Sequence, residues 1–153
     1  MSEDEIVQQR ERNRSILTRV LQRLGSQDYA GACVLLSEDV VCDWPYPPTP
    51  ETPTEIRGRG KMESFFAGGM SAFEPYRYEI TRIFDLVDPS VLIAEYESNS
   101  RYKVSGAPYR NHYLGIFQFE GEFVTHWREY IDPLVVAEVL ATAVEERSDS
   151  REV

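Results

Sequence analysis

The chain contains few of the residues that build metal centres and disulfide frameworks: two of its 153 residues are cysteine and two are histidine. Cys33 and Cys42 form no C-x-x-C pair, which favours a reducing compartment over an oxidising one. His112 and His126 lie on different predicted strands without an H-x-H or H-E-x-x-H spacing, and they would meet only if those strands paired across their hairpin. We therefore expect no metal site.

Basic residues and long apolar runs are also scarce. The chain has 16 Lys and Arg against 26 Asp and Glu, a formal net charge of −10 at pH 7. A surface of that sign repels nucleic-acid phosphates and anionic lipid head groups, so we expect neither nucleic acid nor membrane as a partner. No apolar run approaches the roughly 20 residues of a spanning helix. Residues 1–5 are acidic where a secretory signal is basic and then apolar, so a cytoplasmic protein is expected.

The apolar content is sufficient for one packed core. Hydrophobic residues make up 42% of the chain and aromatic residues 12%, a composition typical of globular proteins. The length predicts a single domain over 1–153, because about 150 residues is the usual size of one domain. We expect its core to span about residues 5–141 and a charged tail to occupy 145–153.

Three helices are predicted in the first half of the chain. Apolar residues recur at three- and four-residue spacing over about 5–24, the pattern of an amphipathic helix. Two shorter helices are predicted over about 28–36 and 58–70. Between them, a short strand over 40–44 leads into a proline-rich stretch over 45–57, which we interpret as an extended loop.

From residue 76 onward the apolar period changes from 3.6 to 2, which indicates strands. Short turns separate the predicted strands, an arrangement that gives an antiparallel meander, and a C-terminal helix follows from Pro133. The four strands cover about 76–86, 91–104, 109–120 and 123–131. These elements predict an α+β fold in which a curved antiparallel sheet packs on three N-terminal helices, with a C-terminal helix. Such a sheet closes over the helices as a half-open cone, a natural site for a small apolar molecule.

Alternation along the last two strands suggests a carboxyl group inside this cone. If Phe117 points inward, so do Asn111 and Tyr113; if Trp127 points inward, so does Glu129. Apolar surroundings would raise the pKa of Glu129 and make it a usable general acid or base near neutral pH. Asn111 and Tyr113 would be close enough to orient it or to hold a substrate oxygen. If the opposite faces point inward, Glu129 instead forms a surface salt bridge with a neighbouring arginine.

Further candidates come from the other elements. Glu95 and Glu97 share one strand face, where two carboxylates could form an acid–base pair in the cavity, although such residues more often lie on a solvated face. Trp44 and Tyr46 flank the proline-rich loop, either as an aromatic wall of the pocket or as ordinary core and loop anchors. Phe65, on the third helix, is a further candidate for the pocket wall.

The residues of the last two strands that alternate with the inward-facing set, and so point to the outer face, include apolar side chains as well. They are Leu114, Ile116, Val124 and Tyr130. Four apolar groups on a face open to water would form a patch that monomers rarely expose. We therefore predict a homodimer through the outer face of the sheet.

Three sequence runs resemble the SnoaL-like branch of the NTF2-like superfamily, which includes ketosteroid isomerase, limonene epoxide hydrolase and polyketide cyclases. They are Val-Leu-Ile-Ala-Glu-Tyr-Glu over 91–97, Gly-Ala-Pro-Tyr-Arg-Asn-His-Tyr over 106–113 and His-Trp-Arg-Glu-Tyr-Ile-Asp-Pro-Leu over 126–134. The resemblance spans about residues 5–141 and implies the NTF2-like cone.

Within that branch the chain is most similar to the phenazine biosynthesis A/B type proteins. The shared runs are Asn111-His112-Tyr113 and Arg128-Glu129-Tyr130. In that type the Glu of the second run is the acid/base group in the cavity, so the resemblance implies this role for Glu129. The chain departs from the type on the third helix, where a histidine of those proteins falls near Phe65 or Phe66.

The residues and the resemblance together lead us to expect a small homodimeric enzyme that transfers a proton on a small, largely apolar, carbonyl-bearing molecule. Such a step needs a tuned carboxyl and hydrogen-bond donors, so no cofactor is expected. Glu129 would be the acid/base, and Asn111 and Tyr113 would position a carbonyl or amine. The ligand-binding set would comprise Trp44, Tyr46, Phe65, Glu95, Phe117 and Trp127. The alternative is a non-catalytic ligand-binding or dimerisation module on the same fold, since no second acid or base is strongly placed.

Overall fold

The computed structural model describes residues 1–151, and the side chains of residues 1–145. Its elements are α1 (Glu3–Gly25), α2 (Tyr29–Cys33), β1 (Leu36–Asp43), β2 (Glu55–Arg57), α3 (Arg59–Met70), β3 (Arg77–Asp85), β4 (Val91–Arg101), β5 (Pro108–Glu120), β6 (Phe123–Ile131) and α4 (Pro133–Arg151). The predicted α+β architecture is confirmed, with three helices before the meander and one after it. No helix within 1–151 is both long and apolar enough to cross a membrane.

Helix α1 begins at a capping box and ends against the sheet. The Ser2 side chain accepts from the Glu5 backbone N–H, and the Glu5 carboxylate accepts from the Ser2 N–H, which satisfies two donors at the helix start. At the other end, the Tyr76 backbone N–H donates to the Gly25 carbonyl at 2.8 Å. A Cβ on Gly25 would lie 2.5 Å from the Tyr76 carbonyl oxygen, so this close approach requires glycine. It fixes the position of Tyr76, the residue before β3 begins.

The six strands form one sheet in the order β2-β1-β6-β5-β4-β3. The meander from β3 to β6 is antiparallel, as predicted, but β1 runs parallel to β6. The predicted antiparallel meander is therefore confirmed, and β1 adds one parallel pairing that makes the six-stranded sheet mixed. No short turn joins β1 to β6, because α3 and four strands separate them in the chain, so their relative direction is not set locally.

Two local boundaries also differ from the sequence prediction. The second helix stops at Cys33 instead of continuing to 36, because Leu36 already belongs to β1 and pairs with Val124 of β6. The proline-rich loop ends in a three-residue strand, β2, in which Arg57 pairs with Val41 at the sheet edge. Both differences come from tertiary pairing that a local pattern does not contain.

A bulge in the β5–β6 hairpin changes which residues face inward. Gln118 pairs with His126 whereas Phe119 pairs with Val124, so the register shifts by one residue between them. Val124 is consequently fully buried in the core, and its expected place on the outer face is wrong. Leu114 and Ile116, beyond the bulge, do lie on the opposite face from the buried Tyr113 and Phe117.

The core has two parts, and the candidate site lies between them. The larger part packs α1–α3 against the sheet. The smaller part packs α4 against the ends of the strands, through Phe73, Tyr102, Tyr109, Val136, Val139 and Ala143. Helix α4 begins at Pro133, as predicted, and extends to Arg151, past the expected end of the core near 141. Most of the charged tail expected over 145–153 falls outside the residues whose side chains are described.

Candidate functional site

A cavity of about 310 Å³ opens between the sheet, α3 and α4. Its wall contains nine aromatic side chains: Trp44, Phe65, Phe66, Phe73, Tyr76, Tyr78, Tyr102, Tyr109 and Tyr113. Glu129 is the one carboxylate in that wall, and no Lys, Arg or His within the described side chains lines it. The cavity is therefore an apolar, aromatic space with a single acid, at the smaller end of the range of ligand pockets.

The sheet register places Glu129 beneath Tyr96. Glu129 pairs with Gly115 of β5, and Gly115 pairs in turn with Ala94 of β4. A Cβ on Gly115 would lie 2.4 Å from the Phe117 ring and 3.1 Å from the Tyr96 ring. Because Gly115 has no side chain, the Phe117 and Tyr96 rings can occupy the space above it.

Both carboxylate oxygens of Glu129 accept hydrogen bonds from aromatic side chains. The Tyr96 hydroxyl donates to Oε2, and the Trp44 indole Nε1–H donates to Oε1 at 3.3 Å. The Trp127 indole N–H in turn donates to the Tyr96 hydroxyl oxygen at 3.3 Å. These three hydrogen bonds fix the orientation of the Glu129 carboxyl group at the cavity wall.

Burial raises the pKa of Glu129 to about 7, and the hydrogen bonds from Tyr96 and Trp44 offset part of that rise. Loss of water destabilises the charged carboxylate, whereas donors that bond to it stabilise it. The acid and the carboxylate are therefore both populated near neutral pH. A carboxyl group in that condition can take up or give up a proton under physiological conditions.

Tyrosine hydroxyls surround this carboxyl. The Tyr113 hydroxyl lies 2.7 Å from Ser98 Oγ, and its ring stacks on Tyr96 with centroids 5.0 Å apart. The hydroxyls of Tyr76 and Tyr78 bond to none of the atoms that the structure describes. Burial raises the pKa of Tyr78 well above its ordinary value, so this group stays a neutral O–H donor toward the cavity.

Four of the residues predicted from the sequence line the cavity together: Glu129, Tyr113, Trp44 and Phe65. The neighbouring Arg128 forms a bidentate pair with Asp43, at 3.1 and 2.9 Å, on the outer face of the sheet. Successive side chains of a strand point to opposite faces, so Glu129 points to the inner face. Glu129 therefore makes no surface salt bridge with that arginine.

Phe117 and Trp127 lie behind the cavity wall and not in it. Phe117 is fully buried, with its ring centroid 5.1 Å from that of Trp127. Trp127 in turn packs against Phe66, at 5.9 Å. Their connection to the site is indirect, through the Trp127–Tyr96–Glu129 hydrogen bonds.

Asn111 is buried but also stands outside the wall. Its Nδ2 donates to the Tyr109 hydroxyl at 2.9 Å and to the Asp132 carbonyl at 3.2 Å, and its Oδ1 accepts from the His112 backbone N–H. Both of its N–H donors and its carbonyl oxygen are thus engaged within the protein. Asn111 therefore holds Tyr109, which does line the cavity, and the β6–α4 junction.

Glu95 and Tyr46 lie away from the cavity. The alternation of β4 buries Tyr96 and turns Glu95 to the opposite face, so the expected pair of carboxylates inside the cone does not form. Tyr46 is 66% exposed and contacts Tyr130 with centroids 6.2 Å apart. It lies on the outside because it follows Pro45 in the loop, beyond the end of β1 at Asp43.

Sequence analysis missed Tyr96, Tyr78 and Tyr76. Tyr96 was missed because the sequence alone does not give the β4–β5 register, which sets Tyr96 opposite Tyr113 and so on the same face. The histidines lie with different carboxylates: His112 Nδ1 is 3.3 Å from Glu97, and His126 Nε2 is 3.4 Å from Asp43. Within the described side chains, no three His, Cys, Asp or Glu residues group as a metal site requires.

The sequence matches the SnoaL-like domain over residues 17–127, and the chain belongs to this family. It is 24% identical to the uncharacterized protein YesE of Bacillus subtilis over 104 residues, 68% of this chain and 70% of that protein.

Solved structures share the fold, which is the NTF2-like α+β cone, and two of them are similar over most of the chain. One is a Bacillus subtilis protein provisionally named an isomerase, with a TM-score of 0.80 and 21% identity, covering 88% of this chain and 96% of the other. The second is a phenazine biosynthesis-related protein of Pseudomonas aeruginosa, with a TM-score of 0.74 and 20% identity over 92% of each chain.

Proposed function

We propose that the protein binds a small, largely apolar, carbonyl-bearing molecule in the cavity and transfers a proton on it, with Glu129 as the general acid/base. The observation that carries the proposal is the position of this carboxyl, which is alone among aromatic side chains and has a pKa near 7. A group with a pKa near the working pH is the most effective proton-transfer catalyst. The names of the structural relatives, an isomerase and a phenazine biosynthesis-related protein, fit an enzyme on this fold.

The surrounding donors give each group a role. Tyr113 and Tyr78 line the cavity, and their hydroxyls would hold the substrate carbonyl oxygen. Negative charge that develops there when a neighbouring C–H loses its proton would be stabilised by those O–H donors. Asn111 acts as a positioning residue because it holds the Tyr109 hydroxyl. A step of this kind uses the carboxyl and the hydroxyls alone, so the proposal includes no cofactor.

A test is available without knowledge of the natural substrate. Small cyclic ketones such as cyclohexanone exchange their α-protons in D₂O, and proton NMR follows the rate. We expect the protein to accelerate this exchange and Glu129→Gln to lower the acceleration by about 10² or more, the usual effect of losing a general acid/base. The matched control is Glu95→Gln, which makes the same change on the outer face and should leave the rate unaltered.

The second candidate is a non-catalytic ligand-binding module. It is favoured by the absence of a second acid or base from the described part of the cavity wall. A wild-type protein that binds cyclic ketones in a thermal-shift assay, but exchanges their protons no faster than Glu129→Gln does, would establish this candidate and contradict the enzyme.

We also propose a single-domain, cytoplasmic protein that forms a homodimer through the outer face of the sheet. Leu114, Ile116 and Tyr130 are half-buried in the single chain and lie on that face. A second copy would cover them. Cys33 and Cys42 are both buried free thiols, which suits a reducing compartment.

A further inference from the structure

The wall of the cavity combines the Glu129 carboxyl with nine aromatic side chains, and it contains no Lys, Arg or His among the described side chains. One group of rings is Trp44, Phe65 and Phe66, with centroids 5.0 Å apart for Trp44 and Phe65 and 5.9 Å apart for Phe65 and Phe66. In a second group, Tyr76 lies 5.6 Å from Tyr78 and 5.7 Å from Tyr109. Both groups of rings line the cavity that contains the carboxyl.

Two arginines on the elements that carry Glu129 and Phe65, Arg128 on β6 and Arg59 on α3, are engaged elsewhere. Arg128 pairs with Asp43 on the outer face. Arg59 donates from Nε and Nη2 to the Leu36 carbonyl. Neither lines the cavity, so the carboxylate of Glu129 has hydrogen-bond donors but no positive partner.

We propose that the cavity binds an organic cation: a small molecule in which a protonated or quaternary amine is attached to an apolar body. The inference rests on the proposed function in using the same cavity and carboxyl, and it names the substrate class. The face of an aromatic ring carries negative electrostatic potential, and a cation over it is attracted, most strongly when both are removed from water. A carboxylate beside those rings adds a direct charge partner.

Other ligand classes fit the same wall less well. An anionic ligand would lie beside Glu129 with no basic group to neutralise it, and like charges at short distance in a dry site repel strongly. A neutral ligand packs on the rings but gives the carboxylate no charge partner. An organic cation can make favourable interactions with the aromatic rings and with the carboxylate at the same time.

The charge state of Glu129 gives the binding a pH dependence. The other titratable groups around it are Tyr76, Tyr78, Tyr96, Tyr109, Tyr113 and Cys42, and burial raises the pKa of each, so they remain neutral near pH 7. A cation binds the carboxylate form, so its affinity should increase as pH rises through the pKa of Glu129. Between pH 6 and pH 8 the competent fraction, and with it the affinity, increases about tenfold.

Choline and its neutral isostere 3,3-dimethylbutan-1-ol test the proposal, because they share one shape and differ in the charge of a single atom. Isothermal titration calorimetry at pH 8 should give choline at least about tenfold tighter binding than the alcohol, the effect of one desolvated cation–π or charge contact. Glu129→Gln should remove most of that preference and leave the affinity for the alcohol unchanged.

Phe65→Leu provides a second variant that keeps an apolar side chain but removes a ring face. It should weaken choline binding more than alcohol binding. The control is Glu95→Gln, on the outer face, which should change neither. Equal affinities for the two probes, tighter binding of the alcohol, or binding of neither at millimolar concentration would overturn the proposal.

Choline has no carbonyl group, so this result does not depend on proton transfer. If the protein exchanges protons on ketones but shows no preference for choline, the proposal of an organic-cation ligand is refuted and the acid/base proposal stands. A preference for choline without any exchange would refute the acid/base proposal and leave the cation in place.

Discussion

Trp44 and Glu129 are 85 positions apart in the chain, yet the indole Nε1 of one lies 3.3 Å from the carboxylate Oε1 of the other. The parallel pairing of β1 with β6 creates this contact, because it sets Asp43 beside Arg128 and therefore the following residues beside each other. The same register places the Asp43–Arg128 ion pair on the outside and the Trp44–Glu129 hydrogen bond on the inside. The β1–β6 pairing thus brings the Trp44 indole to the Glu129 carboxyl, where it supplies a hydrogen bond.

Removing the indole donor should make Glu129 a weaker acid. In Trp44→Phe the ring remains but the hydrogen bond to the carboxylate is lost, and that bond holds the pKa of Glu129 down. We expect the pKa to rise above about 7, with a loss of about 1 kcal/mol from the hydrogen bond. Carbon-13 NMR titration of the glutamate carboxyls measures it. Tyr46→Phe, on the exposed side of the same loop, should leave the titration unchanged; an unchanged or lower pKa in Trp44→Phe would contradict the assignment.

Gly115→Ala should destabilise the protein and disturb the site together. The new Cβ would lie 2.4 Å from the Phe117 ring and 3.1 Å from the Tyr96 ring, so both rings must shift. Overpacking of this kind costs about 1–3 kcal/mol of unfolding free energy, measurable by urea denaturation. Gly68→Ala is the control, since its Cβ would meet nothing within 4 Å inside α3. It should stabilise by up to about 1 kcal/mol. Equal stability of the two variants would argue against the described packing at Gly115.

The inward position of Glu129 could be predicted from the sequence because β6 alternates regularly between Trp127 and Glu129, away from the bulge. Trp127 and Glu129 are separated by one residue, and a large buried ring fixes the parity of its neighbours. The meander and its turns were predictable for the same reason, since strand alternation and short turns are local properties of the sequence.

What the sequence could not supply depended on pairing between distant segments. The bulge that buries Val124 appears only when Phe119 and Gln118 find their partners on β6. The parity of β4 was ambiguous because Glu95 and Tyr96 alternate with equal regularity, and it is the stacking of Tyr96 on Tyr113 that decides which faces inward. The parallel β1–β6 pairing, which brings Trp44 to the carboxyl, has no local signal.

The proposed homodimer should depend on the outer sheet face. Light scattering of the wild-type protein at micromolar concentration should give a dimeric mass. Leu114→Asp places a charge in the proposed interface and should give a monomer of 17.6 kDa, because burying an unpaired carboxylate costs several kcal/mol. Val87→Asp introduces the same charge at a fully exposed position in the β3–β4 turn and should stay dimeric. A monomeric wild-type protein would remove this interface from consideration.

The pKa of Glu129 also predicts how stability varies with pH. Folding raises that pKa from 4.5 to about 7, so between these values the folded state binds more protons than the unfolded state, and stability falls as pH rises. The full effect is about 3 kcal/mol, present below pH 4.5 and lost above about pH 7. Urea denaturation of wild type and Glu129→Gln across this range isolates the contribution, because the other groups cancel in the difference. The wild-type protein should lose about 3 kcal/mol relative to Glu129→Gln between pH 4.5 and pH 8. A pH-independent difference for Glu129→Gln would mean that this carboxyl has the same pKa in the folded and unfolded states.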